Sequence, residues 1–380
     1  MLLLQAFGSN GSGQLGIGHT EDVSTPQTVL LPAECLLPSP TGPTQQPRIS
    51  RIVAGGNHTL VLFSTGTLLW SGDHTTGACG RVPDPAAATT PQFRPVDLGP
   101  LPPSSTVRLA AATWEASVAV VSSQVATHGS DCSSSETVYS FGRGGKGELG
   151  LGQGITTTGE EPAAIPNFPP PGSHVVDIAA GVGHVVAVLS NGEVWGWGNG
   201  RKGQLGEPAA AAIWAPRRIN EGVGFRVVRA VCGREFTCLF GPSETGETVV
   251  LGSDKWGVRS RAPEHVSQWK DVGAGWGSLA VLKGDGTLVS WGRDDHGQLA
   301  RDDLSRVKHM AVGSEHTMVL TKEGELMAWG WGEHGNCGPI RDGNGEKGER
   351  NRIATSGQGT EITMIGAGCA TSWIAIEKAT

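Results

Sequence analysis

The 380-residue sequence predicts an all-β fold, a seven-bladed β-propeller closed by an N-terminal strand that completes the last blade. Three observations predict it. An apolar run, a small-Gly turn and a second apolar run recur seven times. A second pattern, an aromatic or small residue followed by Gly-x4-Gly-x-Leu or Cys, also recurs seven times. Between the two patterns a Gly hairpin signal often intervenes. Each unit therefore reads as four short strands, and seven such units form a propeller.

The chain opens inside a unit, with a strand at 2–7 and the Gly loop from Phe7 to Gly16. The first whole unit has the turn before His58, the hairpin Thr65-Gly66 and a loose Gly loop at 71–80. The second is degenerate over 111–120 but has a clear Gly loop from Phe141 to Gly150. The third has the turn before His184, the hairpin Asn191-Gly192 and the loop from Trp197 to Gly206. The fourth is weak, at 231–239 and 251–258. The fifth spans 273–282, Asp285-Gly286 and 291–299. The sixth has the turn before His316, the hairpin Glu323-Gly324 and the loop at 329–338. The chain ends on two strands of a seventh unit, within 361–377, so the N-terminal strand is expected to supply that blade's third strand and remove an open edge. Equivalent turn positions are read as His58, Glu115, His184, Phe236, Ser278, His316 and Thr371. The variable stretches at about 19–47, 81–106, 122–136, 153–174, 207–224 and 339–359 read as surface loops and outer-strand excursions. A closed ring makes 1–380 one domain.

Composition narrows the function classes. Gly is 58 of 380 residues without a Gly-X-Y register, so the glycines serve turns and not a collagen helix. No apolar run is long enough for a membrane helix, and Leu2-Leu3-Leu4 lacks the basic flank of a signal peptide. Seven Cys with no CxxC pair read as free thiols in a reducing compartment. A net charge of −7 and the lack of a basic tail weigh against nucleic acid as the main partner.

The chemistry-bearing residues divide into structural and surface sets. His58, His184 and His316 share one repeat position, which places them in different blades; they read as turn-fixing histidines, not as metal ligands. The loop Gly142 to Gly147 lacks the following helix that a phosphate cradle needs. Cys79 and Cys337 occupy a slot where other units carry Leu and read as core filling. Trp70, Trp195, Trp197, Trp291 and Trp329 fall in or at the ends of third strands and read as inter-sheet core. No nucleophile–base–orienter set is evident, and neither a catalytic residue, a cofactor nor a metal is expected.

Four other tryptophans stand where sibling units carry small or polar residues. Trp114 and Trp276 fall in first-to-second-strand turns, and Trp256 and Trp331 fall in Gly loops. Both loop types leave the same edge of a blade, so the four are expected on one face, where exposed aromatics suit an interface. The same face carries Glu115, Arg201, Lys202, Arg234, Glu235 and His334, and these ten residues form the expected partner-binding set. Blades two and three read as basic, and blades five and six as acidic.

The turn with His and the motif Trp-Gly-x4-Gly-Gln-Leu-Gly resemble the regulator of chromosome condensation repeat over essentially the whole chain. The opening, Ala6 through Gly16 with His19, Asp22 and Thr25-Pro26-Gln27, is similar to the small fungal α-tubulin-suppressor branch of that family, as is Ala54-Gly-Gly-Asn-His58. The resemblance implies a protein-interaction propeller that binds the small zinc-binding protein of diphthamide synthesis. It further implies a role in diphthamide formation on elongation factor 2 and in Elongator-dependent modification of the tRNA wobble uridine, with Elongator as a second partner. On this reading the chain is a monomer or heterodimer of the cytoplasm and nucleus, without membrane or direct nucleic-acid contact. The alternative is guanine-nucleotide exchange on a Ran-type GTPase, as in the founding member. An enzyme of the central pocket is disfavoured, because the inner strand ends read as mostly Gly and Ala.

Overall fold

The computed structural model describes residues 2–37, 46–84, 90–126, 132–159, 161–339, 350–354 and 360–378. The chain starts with β1 (Leu2–Gly8) and β2 (Val23–Thr28). Blade one comprises β3 (Ile49–Ala54), β4 (His58–Phe63), β5 (Leu68–Gly72) and β6 (Arg94–Pro95). Blade two comprises β7 (Thr106–Ala112), β8 (Ala116–Ala126), β9 (Cys132–Gly142) and β10 (Ala163–Ala164). Blade three comprises β11 (Val175–Ala180), β12 (His184–Leu189), β13 (Val194–Gly200) and β14 (Ala210–Arg218). Blade four has β15 (Arg229–Cys232), β16 (Phe236–Phe240) and β17 (Thr248–Gly252); blade five has β18 (Trp269–Ala274), β19 (Ser278–Lys283) and β20 (Leu288–Gly292). Blade six comprises β21 (Val307–Val312), β22 (His316–Thr321), β23 (Leu326–Gly330) and β24 (Asn351–Arg352). The last strands are β25 (Thr360–Ala367) and β26 (Thr371–Lys378).

The ring closes as the sequence predicts. The seventh sheet has the order β2-β1-β26-β25, and β1 pairs with β26 from Leu2↔Glu377 to Gly8↔Thr371. The second strand of each blade is covered on both faces, so it reads as a continuous apolar run and not as an alternation. β4, β12 and β22 are buried at every residue. The core lies between blades: Leu60, Trp70 and Phe141 pack blade one on blade two, and Phe7, Met318 and Ile374 pack blade six on blade seven. Third-strand tryptophans lock three other seams. The indole N–H of Trp197 donates to Glu148 O, that of Trp291 to Val258 O and that of Trp329 to Gln298 O, in each case a carbonyl of the preceding blade's Gly loop.

One glycine position is obligatory in every blade. Gly8, Gly72, Gly142, Gly198, Gly252, Gly292 and Gly330 all have φ between +103° and +114°. A Cβ at any of them would overlap the carbonyl oxygen of the adjacent turn. Both the backbone conformation and the close approach exclude a side chain.

The three repeat histidines join blades. His58 Nε2 meets Ser117 Oγ at 2.9 Å, His184 Nε2 meets Thr237 Oγ1 at 3.0 Å and His316 Nε2 meets Ser372 Oγ at 2.9 Å. Ser117 and Ser372 already donate their hydroxyl protons to Ala78 O and Asn336 O, so their histidines must be the Nε2–H donors. Burial lowers all three imidazole pKa values to about 4, which keeps the rings neutral.

Three expectations are corrected. The blade-two equivalent of His58 is Ala116, not Glu115: His58 pairs with Gly72 and Ala116 pairs with Gly142. The stretch 122–136 is not a loop over its described residues, because β8 and β9 continue to pair from Ser122↔Glu136 to Ala126↔Cys132. Ser123 Oγ and Ser135 Oγ bridge that ladder at 2.8 Å. Blades four and five have three strands among the described residues, not four. Blade four has only the isolated bridge Glu247↔His265 in the outer place. Most of the excursion at 339–359 lies outside the described residues, as do 38–45 and 85–89.

Candidate functional site

The loops of one face form a hydrogen-bonded platform. In all seven blades the first residue after the obligatory glycine donates its N–H to the carbonyl of the inner turn. Examples are Asp73 to Asn57 O at 2.8 Å, Asn199 to Gly183 O at 2.7 Å and Trp331 to Glu315 O at 2.9 Å. Turns of neighbouring blades are also linked: Gly56 N donates to Trp114 O, Trp114 N to Val182 O, Arg234 N to Trp276 O and Trp276 N to Ser314 O. Both loop types thus leave the same edge, and their side chains stand on a fixed frame.

The four turn and loop tryptophans gather in two clusters on this face. Trp114 and Trp276 belong to the non-adjacent blades two and five, yet their ring centroids are 5.8 Å apart. They meet across the mouth of the central channel that both line. Trp114 lies on Gly56, where a Cβ would come within 2.6 Å of the indole. The Arg234 guanidinium lies 5.6 Å from the Trp276 ring.

The second cluster centres on Arg293. Its guanidinium lies 5.0 Å from the Trp256 ring and 5.9 Å from the Trp331 ring. His296 stacks on Trp331 with centroids 4.4 Å apart and planes 18° apart. Arg293 is held by Asp295 at 2.7 and 2.9 Å and by Glu315. The Arg293 bond keeps the Asp295 carboxyl at a pKa of about 2, while burial pushes Glu315 up. Trp114, Trp256 and Trp331 are 40%, 40% and 38% exposed, and Trp276 is half-buried.

The remaining expected residues are more scattered. Glu115 is exposed beside Trp114, and Glu235 is half-buried beside Arg234. Arg201 and Lys202 are exposed on blade three's Gly loop, apart from both clusters. His334 turns to the neighbouring blade, where its Nδ1 lies 2.9 Å from Asp22 Oδ2. The expected charge split is uneven. Arg143, Lys146, Arg201 and Lys202 are exposed, but Asp295 and Glu315 are spent on Arg293, which leaves Asp294 and Glu333 as the exposed acids on the Gly loops of blades five and six.

The sequence reading missed a charged group inside the ring, where it expected Gly and Ala. The central channel, about 420 Å³, is lined by the inner strands of all seven blades and by the side chains of Arg51, Arg229 and Asp271. Arg229 Nη1 pairs with Asp177 at 3.0 Å, and its Nη2 lies 3.9 Å from Asp271. Arg51 Nη2 donates to Ile178 O at 2.7 Å, from blade one to blade three. The signal was present in the sequence: Arg51, Asp177, Arg229, Asp271 and His309 each stand four residues before the turn glycine of their blade.

Comparison with known proteins places this geometry. The family profile described as RCC1-like domain matches residues 3–374. An RCC1 repeat-containing protein of Schizosaccharomyces pombe is 31% identical over 388 residues, covering 99% of each chain. The secretion-regulating guanine nucleotide exchange factor of Mus musculus is 27% identical over 321 residues, 79% of this chain and 61% of that protein. Among solved structures, Prp20p from Saccharomyces cerevisiae superposes with a TM-score of 0.78 at 22% identity, covering 100% of this chain and 92% of that one. Human WBSCR16 superposes with a TM-score of 0.75 at 17% identity, covering 100% and 99%.

Proposed function

Because this chain belongs to the RCC1-like domain family, we propose that it is a protein-interaction propeller that docks a partner on the face bearing Trp114, Trp256, Trp276 and Trp331. The observation that carries this reading is the fixing of those rings. Each exposed indole is braced by a turn, a guanidinium or an imidazole, so binding need not order it. Pre-ordered aromatic anchors are the residues that dominate interface energies. The exposed basic residues of blades two and three would meet an acidic margin of the partner and set its orientation. The chain acts by binding on this reading, not by catalysis.

The partner we propose is the small zinc-binding protein of diphthamide synthesis, on the strength of the similarity at Ala6 to Gly16 and Ala54 to His58. Holding that protein against the Trp face would cover part of its metal site and regulate access to it. The chain would thereby support diphthamide formation and Elongator-dependent wobble-uridine modification. Calorimetric titration of the chain with the zinc-loaded protein tests this: a saturable complex near one to one is expected. No heat and no co-elution would overturn the partner.

A second reading, exchange of guanine nucleotide on a Ran-type GTPase, is favoured by two relatives. One is named a guanine nucleotide exchange factor, and Prp20p is described with its binding to Gsp1p and histones. Accelerated nucleotide release from the GTPase by the purified chain would select that reading.

A further inference from the structure

The channel holds a guanidinium that no carboxylate touches among the described residues. Arg51 lines the channel and reaches across it from blade one to blade three. A guanidinium offers five N–H donors. Ile178 O is the acceptor Arg51 has among the described residues, at 2.7 Å. No carboxylate lies within 4.0 Å of it among those residues. The two carboxylates nearby are committed elsewhere. Asp177 accepts from Arg229 Nη1 and from Ala230 N, both at 3.0 Å. Asp271 accepts from Val272 N at 2.9 Å and faces Arg229. Burial lowers the pKa of Arg51, Asp177 and Asp271 act on it through space in the opposite direction, and the Arg229 charge adds to the lowering. A cation withdrawn from bulk water is costly unless an anion answers it.

The chamber around Arg51 is roofed. Trp114 and Trp276 meet over one mouth, and Arg51 lies three residues before the end of its strand, about 10 Å deeper along the channel. The walls between are mostly backbone, Ala, Gly and Val, which leave room for a guest; at the level of Arg51 the channel is also lined by Arg229 and Asp271.

We propose that the central channel is a binding site for a small oxyanion, a carboxylate or phosphate of metabolite size, with Arg51 as its principal ligand. Arg51 belongs to neither tryptophan cluster, so the anion's principal ligand is distinct from the docking residues, although Trp114 and Trp276 roof the chamber. The guanidinium fork would take two oxyanion oxygens side by side, which a lysine could not.

Calorimetry of the full chain, dialysed into Tris chloride, tests this against inorganic phosphate and against citrate, with sodium chloride at matched ionic strength as the reference. One-site saturable binding of either anion is expected. Phosphate alone, or citrate alone, identifies the oxyanion class. Arg51→Met should weaken that binding at least tenfold while the variant still melts cooperatively in anion-free buffer. Ala180→Leu, which narrows the chamber and leaves Arg51 in place, should weaken it as well and decides the matter should Arg51→Met not fold. Heats no larger than those of chloride overturn the proposal. Equal affinity in the wild type and Arg51→Met, or in the wild type and Ala180→Leu, also overturns it.

Discussion

The inter-blade histidines make this ring acid-sensitive, and the size of the effect can be worked out. Each folded-state pKa is about 4, pushed down by burial, against about 6.5 in an unfolded chain. The unfolded chain therefore binds more protons between those values, so stability rises with pH there. The contribution is complete above about pH 6.5 and is lost as pH falls toward 4. At pH 5 each histidine costs about 2 kcal/mol, and three cost about 6 kcal/mol, a large share of the roughly 5–15 kcal/mol that holds a typical domain. The informative perturbation is His184→Phe, since Phe236 fills the same repeat position in blade four. At pH 7.5 this variant loses the bond to Thr237 and should cost about 1–3 kcal/mol. At pH 5 the wild type already bears that histidine's titration penalty and the variant does not, so the cost should shrink by about 2 kcal/mol. Urea unfolding of both proteins at the two pH values measures this. An equal cost at pH 7.5 and pH 5 would refute the reasoning.

Three further outcomes are expected. Gly13→Val should lower stability by about 2 kcal/mol or more, because φ is +73° and a Cβ would stand 2.7 Å from Pro91 Cβ; an unchanged melting temperature would contradict this. Removing residues 2–8 deletes the strand between β26 and β2 and should abolish the cooperative transition of the whole ring in near-ultraviolet dichroism, not merely trim it. Trp256→Ala should weaken partner binding by about 2 kcal/mol, roughly 30-fold by calorimetry, and leave the fold intact, because that ring is a surface residue.

What the sequence revealed was whatever the repeat forces on every blade. The obligatory glycine and the apolar second strand each solve one packing problem seven times, and the third-strand tryptophan recurs at Trp197, Trp291 and Trp329, so they are visible by self-comparison. The closure was legible for the same reason, since 2–8 lacks a first and second strand and 360–378 lacks a third. Blade two was misaligned by one residue because Ala116 has only a methyl group at the position that His58 and His184 mark in their blades. The long hairpin of β8 and β9 was hidden by Ser-rich composition; its ladder is specified by pairing across strands, which a linear pattern does not display. Blades four and five were assigned a strand that neither builds, because their outer segments were inferred from the siblings. The channel charges were missed for the opposite reason. Arg51, Asp177, Arg229, Asp271 and His309 occupy one repeat position with differing chemistry, and contacts such as Arg51 to Ile178 span 127 residues. The Trp face lay between these extremes: the shared edge followed from topology, whereas the meeting of Trp114 with Trp276 and the clasp of Arg293 depend on the ring's curvature.

The most direct measurement of the docking face is amide hydrogen exchange on the chain with and without the bound zinc protein. The account predicts added protection in the turns and loops holding Trp114, Arg234, Trp256, Trp276 and Trp331, with the opposite-edge hairpins at Thr65-Gly66, Asn191-Gly192 and Asp285-Gly286 unchanged. Protection confined to those hairpins or to the outer strands would contradict it.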